Sequence, residues 1–336
     1  MSASTESQLA HTLGVQERVP DFFIVGQPKS GTTALYRMLK SHPQVYMPEM
    51  KEPLFFASDL RPYLNQPLED PEKRPQFPAT YEEYLSLFQA AEAEQRVGEA
   101  SSSYLRSRVA AHAIADVQPA ARIIAILREP ASLLRSLHLQ RLQEYVETEP
   151  DLARAISLED ARRQGKHVPA RLEQPQMLMY SEFIRYIEQL RRYDAVFAPE
   201  QIMVLIYDDF RSDNERAMRS VLRFLEVDDT VPVKALEANP TIAIRSKRLA
   251  RISRRAQSGR GVIWGPTNAI LKKLMPPRVR EQALHPLRDR LLYREPPPPD
   301  EHFMLELRRR LKPEVQALSE YLDRDLVALW GYDELG

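Results

Sequence analysis

Residues 22–39 read FFIVGQPKSGTTALYRML. Four apolar residues, Phe22 to Val25, form the kind of run that a strand buried on both faces of a parallel sheet requires. A polar loop follows, and a helix is predicted from Thr32 to about Ser41. The loop has the makings of an anion cradle. The start of a helix offers unpaired backbone N–H groups and the positive end of its dipole. Gly31 lets the backbone come close, Lys29 brings a charge, and Ser30, Thr32 and Thr33 bring hydroxyls. The two glycines, Gly26 and Gly31, keep the spacing of the nucleotide loop G-x-x-x-x-G-K-[ST]. The lysine does not: it stands two places before the second glycine instead of one after it.

Outward from this loop, strands alternate with helices. A short strand is expected around Val45 to Met47, ending at Pro48, and the segment QRVGEASSSYL gives another, followed by a Gly-Glu turn and a Ser-capped helix start. ARIIAILREP is the clearest buried strand, with a helix from near Ala131; a long helical pattern covers Met177 to Val196; EQIMVLIYDDF is a further buried strand before a helix over Glu215 to Leu225. YEEYLSLFQAA reads as an amphipathic helix, and residues 59–80 as an irregular excursion. The order predicts an α/β fold with a P-loop-like parallel sheet flanked by helices. From about Val231 the pattern turns to helices and proline-rich joints without strands, a helical C-terminal lid or appendage. The expected organisation is a loose segment over 1–19 and one domain over 20–336, its sheet core at about 20–230 and its helical part at about 231–336.

Bulk properties exclude several function classes. The 336 residues suffice for a sizeable core, and 43% hydrophobic with 28% charged residues is ordinary for a soluble globular chain. Lys plus Arg and Asp plus Glu both number 47, so no global charge draws the chain to nucleic acid or membrane. Cysteine is absent, which removes disulfides, thiolate metal sites and a Cys nucleophile and suits a reducing interior. No apolar run approaches the ~20 residues of a membrane span, and the N-terminus has no signal-peptide core. A soluble cytoplasmic protein is expected; oligomeric state is not readable.

A second anion site is expected at the end of the strand in LREPASLLRS. Arg128 closes the strand and Ser136 lies eight residues on. Open α/β sheets bind ligands at the carboxyl ends of their strands. A guanidinium there can grip a phosphate bidentately and a serine hydroxyl can add to it. Two cradles at neighbouring strand ends fit a ligand with two separate anionic groups.

These stretches resemble the sulfotransferases that use 3′-phosphoadenosine 5′-phosphosulfate (PAPS). PKSGTTAL is similar to their loop for the 5′-phosphosulfate, HPQVYMPEMKEPLFF to the segment leading to the acceptor site, GEASSSYL to a recurrent turn, and IIAILREPASLLRSL to their 3′-phosphate element. REPPPPDEHF and LSEYLDRDLVALW resemble the tail of bacterial members, so the likeness runs from about residue 20 to 332. The resemblance is closest to the heparan-sulfate and carbohydrate branch. It implies transfer of a sulfuryl group to an acceptor hydroxyl, on a carbohydrate, lipid or small metabolite, releasing adenosine 3′,5′-bisphosphate. It implies donor contacts from Lys29, Ser30, Gly31, Thr32, Thr33, Arg128 and Ser136, and no metal. It also puts Glu52, in the sequence Lys51-Glu52-Pro53, in the place of the base. Lys51 could then orient the acceptor or hold the sulfuryl group. The family often carries a second arginine where this chain has Leu134; Arg135 is adjacent, but one residue is about 100° around the helix, so it does not simply replace it.

Alternatives stay open at this point. His138 and His42 could replace Glu52 as base, although His138 lies about 200° around its helix from Ser136. The basic stretch RSKRLARISRRAQSGRG, 245–261, is either a solvated helix face or a lid whose Arg260 reaches the 3′-phosphate. A phosphoryl transferase using ATP and Mg²⁺ would take Asp208 as its metal ligand; Asp208 and Asp209 are more simply capping and turn residues. A non-catalytic anion-binding module would have no use for Glu52.

Overall fold

The computed structural model of the chain describes residues 18–61, 77–169, 172, 175–232, 243–244, 293–294 and 298–335. Five strands form one sheet: β1 (Phe22–Gly26), β2 (Val45–Tyr46), β3 (Arg96–Ala100), β4 (Arg122–Leu127) and β5 (Ile202–Ile206). Their spatial order is β2-β3-β1-β4-β5 and every pairing is parallel. Each connection must therefore cross over, and helices supply the crossovers. They are α1 (Thr32–Lys40), α2 (Tyr81–Ser86), α3 (Ala110–Val117), α4 (Pro130–Glu144), the short α5 (Leu152–Ser157) and α6 (Glu159–Arg163), and α7 (Tyr186–Asp194). After β5 come α8 (Tyr207–Ser212) and α9 (Asn214–Phe224), and near the C-terminus α10 (Glu301–Tyr321) and α11 (Leu326–Leu329).

The apolar run of β1 is buried at every position because helices cover both faces of the sheet. Side chains alternate across the pleat. Phe23 and Val25 join Ile123, Ala125 and Leu127 against α2, α3, α4, α7 and α10, whereas Phe22 and Ile24 join Ile124 and Ile126 against α1, α8 and α9. With β1 central, the chain first builds β2 and β3 on one side and then β4 and β5 on the other. This reversal opens a crevice at the carboxyl ends of β1, β3 and β4.

Several elements differ from the sequence reading. Residues 101–107 form turns, and α3 begins only at Ala110, because the serines bond to a neighbouring loop instead of capping a helix. The pattern over 177–196 breaks into two 3₁₀ turns before α7 starts at Tyr186. β5 is half-buried over most of its length, as an edge strand must be. The C-terminal part does contain strand: Ala243–Ile244 pairs antiparallel with Tyr293–Arg294, two residues on each side and too short to leave a periodic signal.

Candidate active site

The loop expected to hold the donor lies between β1 and α1. Lys29 has φ 64° and Gly31 φ 95°, so the chain turns sharply before entering the helix. A β-carbon at Gly31 would stand 3.3 Å from the rings of Phe210 and Tyr207, and its left-handed φ is one that glycine adopts without steric cost. Gly31 caps α1 without any side-chain hydrogen bond, leaving the first-turn N–H groups to whatever occupies the loop. The side chains divide in two: Lys29 and Thr33 are half-buried at the loop surface, whereas Ser30 and Thr32 are buried. Burial pushes the Lys29 ammonium below the usual lysine range; Glu144 pulls it up and Arg128 adds to the lowering.

Arg128 leaves the end of β4 and donates from Nη1 to the main-chain oxygen of Lys29 at 3.0 Å, with its guanidinium 4.9 Å from the Tyr207 ring centre. Its sequence neighbour Glu129 caps α4, accepting from Ala131 N at 3.1 Å and Ser132 N at 2.6 Å. Arg128, Ser132, Arg135 and Ser136 form one wall of a cleft of about 330 Å³. The other wall is Pro299 and the start of α10, where Met304 and Leu305 are apolar, Glu301 is acidic and Arg308 is basic. Arg308 Nε lies 3.6 Å from Glu129 Oε1. Leu134 is buried in the core, and Arg135, one position on, faces the cleft. Arg135 was given no role in the sequence reading, and Arg308 went unnoticed in it. The first was set aside on helix angle, and the second lies 180 residues from Arg128 with no local motif around it.

Glu52 sits where the chain passes the end of β3. Its φ is 62°, and its N–H donates to Ala100 O at 2.9 Å. Its carboxylate accepts from Ser102 N at 2.7 Å, from Ser102 Oγ at 2.8 Å and from Lys51 Nζ at 2.5 Å. Lys51 and Glu52 therefore form a partly exposed pair at the crevice, with side-chain exposures of 20% and 30%. Beneath them Glu99 is fully buried, accepting from Tyr104 Oη at 2.7 Å and Tyr84 Oη at 3.2 Å; burial pushes its carboxyl up to about 7.

The histidines lie elsewhere. His138 is buried, with Nδ1 2.9 Å from Tyr180 Oη and Nε2 3.2 Å from Pro150 O, beside the buried ion pair Arg162–Glu147 at 2.8 Å. Burial lowers its pKa, so it rests neutral. His42 accepts from Gln44 N at Nδ1 (3.2 Å), so Nε2 carries the hydrogen toward Asp228 O at 2.9 Å, at the far end of α1 from the donor loop. Asp208 and Asp209 do not cap a helix: Asp208 accepts from Trp330 Nε1 at 2.9 Å and Asp209 pairs with Arg324. Arg260 and the segment 245–261 lie outside the described residues, as does most of the excursion over 59–80. Among the described residues no group of three or more His, Asp or Glu could hold a metal ion.

A parallel sheet with an anion loop after β1 and a basic cleft after β4 is the frame of a nucleotide-dependent group transferase. A model of the sulfotransferase family matches residues 20–231, and the chain belongs to that family. Mouse carbohydrate sulfotransferase 15 is 28% identical over 330 residues, covering 80% of this chain and 54% of its own. Human bifunctional heparan sulfate N-deacetylase/N-sulfotransferase 3 is 26% identical over 219 residues, covering 63% of this chain and 23% of its own. The chain thus spans about half the length of the first of these relatives, or less. The crystal structure of a sulfotransferase from Alicyclobacillus acidocaldarius superposes with a TM-score of 0.63 at 24% identity, covering 93% of this chain and 98% of that one, a likeness of fold.

Proposed function

We propose that the chain transfers the sulfuryl group of PAPS to an acceptor hydroxyl, with residues 20–336 acting as one domain. The observation that carries this reading is the hydrogen bond from Arg128 to the Lys29 carbonyl. It ties the two anion-binding elements into one site with a cation on each side. The donor chemistry of the site fits PAPS: Lys29 and the α1 N-terminus suit the 5′-phosphosulfate, and Arg128, Arg135 and Ser136 suit the 3′-phosphate. Lys29, Gly31 and Thr33 are the half-buried part of the loop and face the donor with the first-turn N–H groups; Ser30 and Thr32 are buried and shape it from beneath. As the acceptor oxygen bonds to sulfur, its proton passes to Glu52. The bond from sulfur to the 5′-phosphate oxygen breaks, and Lys29 neutralises the charge left on that phosphate. Such a transfer asks for alignment and charge stabilisation, and the protein supplies both without a metal.

A phosphoryl transferase is disfavoured by the engagement of Asp208 and Asp209 with Trp330 and Arg324. The names of the relatives, a carbohydrate sulfotransferase and a heparan sulfate N-sulfotransferase, support a carbohydrate as acceptor. No helix among the described residues is long and apolar enough to cross a membrane. Thermal-shift measurement tests the donor: adenosine 3′,5′-bisphosphate should stabilise the protein in the presence of a chelator, and ATP with Mg²⁺ should do little. The reverse pattern overturns the reading.

A further inference from the structure

The geometry points to Ser102 as the positioning residue that aims the Glu52 carboxylate at the acceptor proton, an inference that rests on Glu52 being the base. Glu52 and Leu54 both have left-handed backbone, φ 62° and 58°. Such conformations cost roughly 1–3 kcal/mol each and persist only where surroundings impose them. Here the end of β3 imposes them. Ala100 O accepts from Glu52 N at 2.9 Å, Ser101 Oγ accepts from Leu54 N at 3.0 Å, and Tyr104 Oη accepts from Phe56 N at 3.2 Å. Tyr104 is in turn anchored on buried Glu99.

This cradle fixes the backbone of Glu52 but not its carboxylate, whose last torsion is broad. Among the described residues Ser102 alone grips both oxygens: its N–H donates to Oε2 and its hydroxyl to Oε1. Ser101 cannot substitute, since its hydroxyl already serves Leu54. Each carboxylate oxygen has room for about two donors. Oε1 takes Ser102 Oγ and Lys51 Nζ; Oε2 takes Ser102 N and keeps one acceptor direction. Oε2 is therefore the oxygen that receives the acceptor's proton. A base must stand about 2.6–3.2 Å from the proton donor's heavy atom, and rotation of the carboxylate would lose that approach.

The test uses PAPS labelled in its sulfuryl group, with chondroitin and heparosan as acceptors and water as the default acceptor in their absence. Ser102→Ala keeps the backbone donor and removes the hydroxyl. It should lower kcat roughly tenfold, the equivalent of about 1.4 kcal/mol, and leave calorimetric affinity for adenosine 3′,5′-bisphosphate unchanged. Ser102→Thr should restore the rate. In a Glu52→Gln background, Ser102→Ala should cost nothing further, since its effect runs through that carboxylate. Equal losses in both backgrounds, or an unchanged kcat in Ser102→Ala, overturn the inference. A second readout needs no turnover: the Glu52 carboxyl ¹³C resonance, assigned by its loss in Glu52→Gln, should move in Ser102→Ala and return in Ser102→Thr. A stationary resonance overturns the contact itself. Full activity in Glu52→Gln instead overturns the base assignment, even where the resonance moves.

Discussion

Arg128 reaches across from the end of β4 and holds the main-chain oxygen of Lys29, 99 positions earlier in the chain, at 3.0 Å. One guanidinium thus braces the loop that carries the lysine. On the proposed reading, occupation of either anion position should stiffen the other, and the consequences of removing Arg128 should extend beyond its own charge.

Lys29→Ala should lose about 10²–10³ in turnover, the usual cost of one preorganised charge contact. The backbone at position 29 is already left-handed, and alanine strains it no more than lysine does. Circular dichroism should therefore find the fold intact. Burial lowers the lysine's pKa. Affinity for adenosine 5′-monophosphate should accordingly decline with rising pH earlier than an ordinary lysine would dictate, a trend that calorimetry reads and that Lys29→Arg should abolish.

Arg128→Ala should weaken adenosine 3′,5′-bisphosphate by roughly 1.5–3 kcal/mol if a charge-assisted contact is lost. The 5′-monophosphate should suffer only from the loosened loop. Arg308→Ala, across the cleft on α10, should weaken the bisphosphate about fivefold, near 1 kcal/mol for a partly exposed charge, and leave the monophosphate alone. Equal losses for both ligands would remove either arginine from the 3′-phosphate site.

Glu52→Gln should keep wild-type affinity for adenosine 3′,5′-bisphosphate and lose about 10²–10⁴ in turnover, the contribution of a general base. The amide fills the same space and cannot take a proton at neutral pH. Turnover at the parental rate would move the search for a base elsewhere. His138 and His42 are poor successors, one being buried among Tyr180, Glu147 and Arg162, the other at the far end of α1.

Glu99→Gln should change the pH dependence of stability more than its level at low pH. Burial raises the Glu99 carboxyl to about 7, so the folded state holds its proton where the unfolded chain, near 4.5, has released it. The contribution of this group is full below about 4.5 and is lost as pH rises through about 7. Glutamine mimics the protonated acid. Urea denaturation should therefore find the variant gaining on the parent between these limits; parallel curves would contradict the assignment.

Arg162→Met should destabilise the fold by about 3–5 kcal/mol, since it strands the carboxylate of Glu147 in the interior. The lost hydrogen bonds to Ala155 O and Glu147 tie α6 to α5 and to the stretch before it, away from the donor cleft, so donor affinity should survive while the denaturation midpoint falls.

What the sequence made legible was local. The β1 loop could be read because its glycines, its lysine and an apolar run fall within a dozen residues, and the Arg128–Ser136 pair because eight residues span one strand end and one helix face. Relations between distant segments left no such trace. Nothing in Lys51-Glu52-Pro53 announces Ser102, fifty positions on. The triple serine 101–103 reads as a helix cap until a neighbouring loop is seen taking its hydroxyls. His138 looks available on a helical wheel, but Pro150 and Tyr180 close over it, the latter from a stretch whose helical pattern breaks into 3₁₀ turns. Arg135 was judged by angle alone, and the cleft proved wide enough to include it.

The C-terminal segment is stitched to the sheet by Arg324 on Asp209, Trp330 on Asp208, and Tyr332 Oη on Glu129, the last linking residues 203 positions apart. Glu129 is also the cap of α4, the helix that carries Ser132, Arg135 and Ser136. During synthesis the five strands can leave the ribosome and pair well before Tyr332 exists. The helix beside the donor cleft then waits, its capping carboxylate without the Tyr332 hydroxyl, until residue 332 emerges. A nascent chain that stops short of Tyr332 would carry Lys29, Arg128 and the first turn of α1 and still lack the hydroxyl that buttresses Glu129 behind them, so affinity for the nucleotide should rise further once residue 332 is in place.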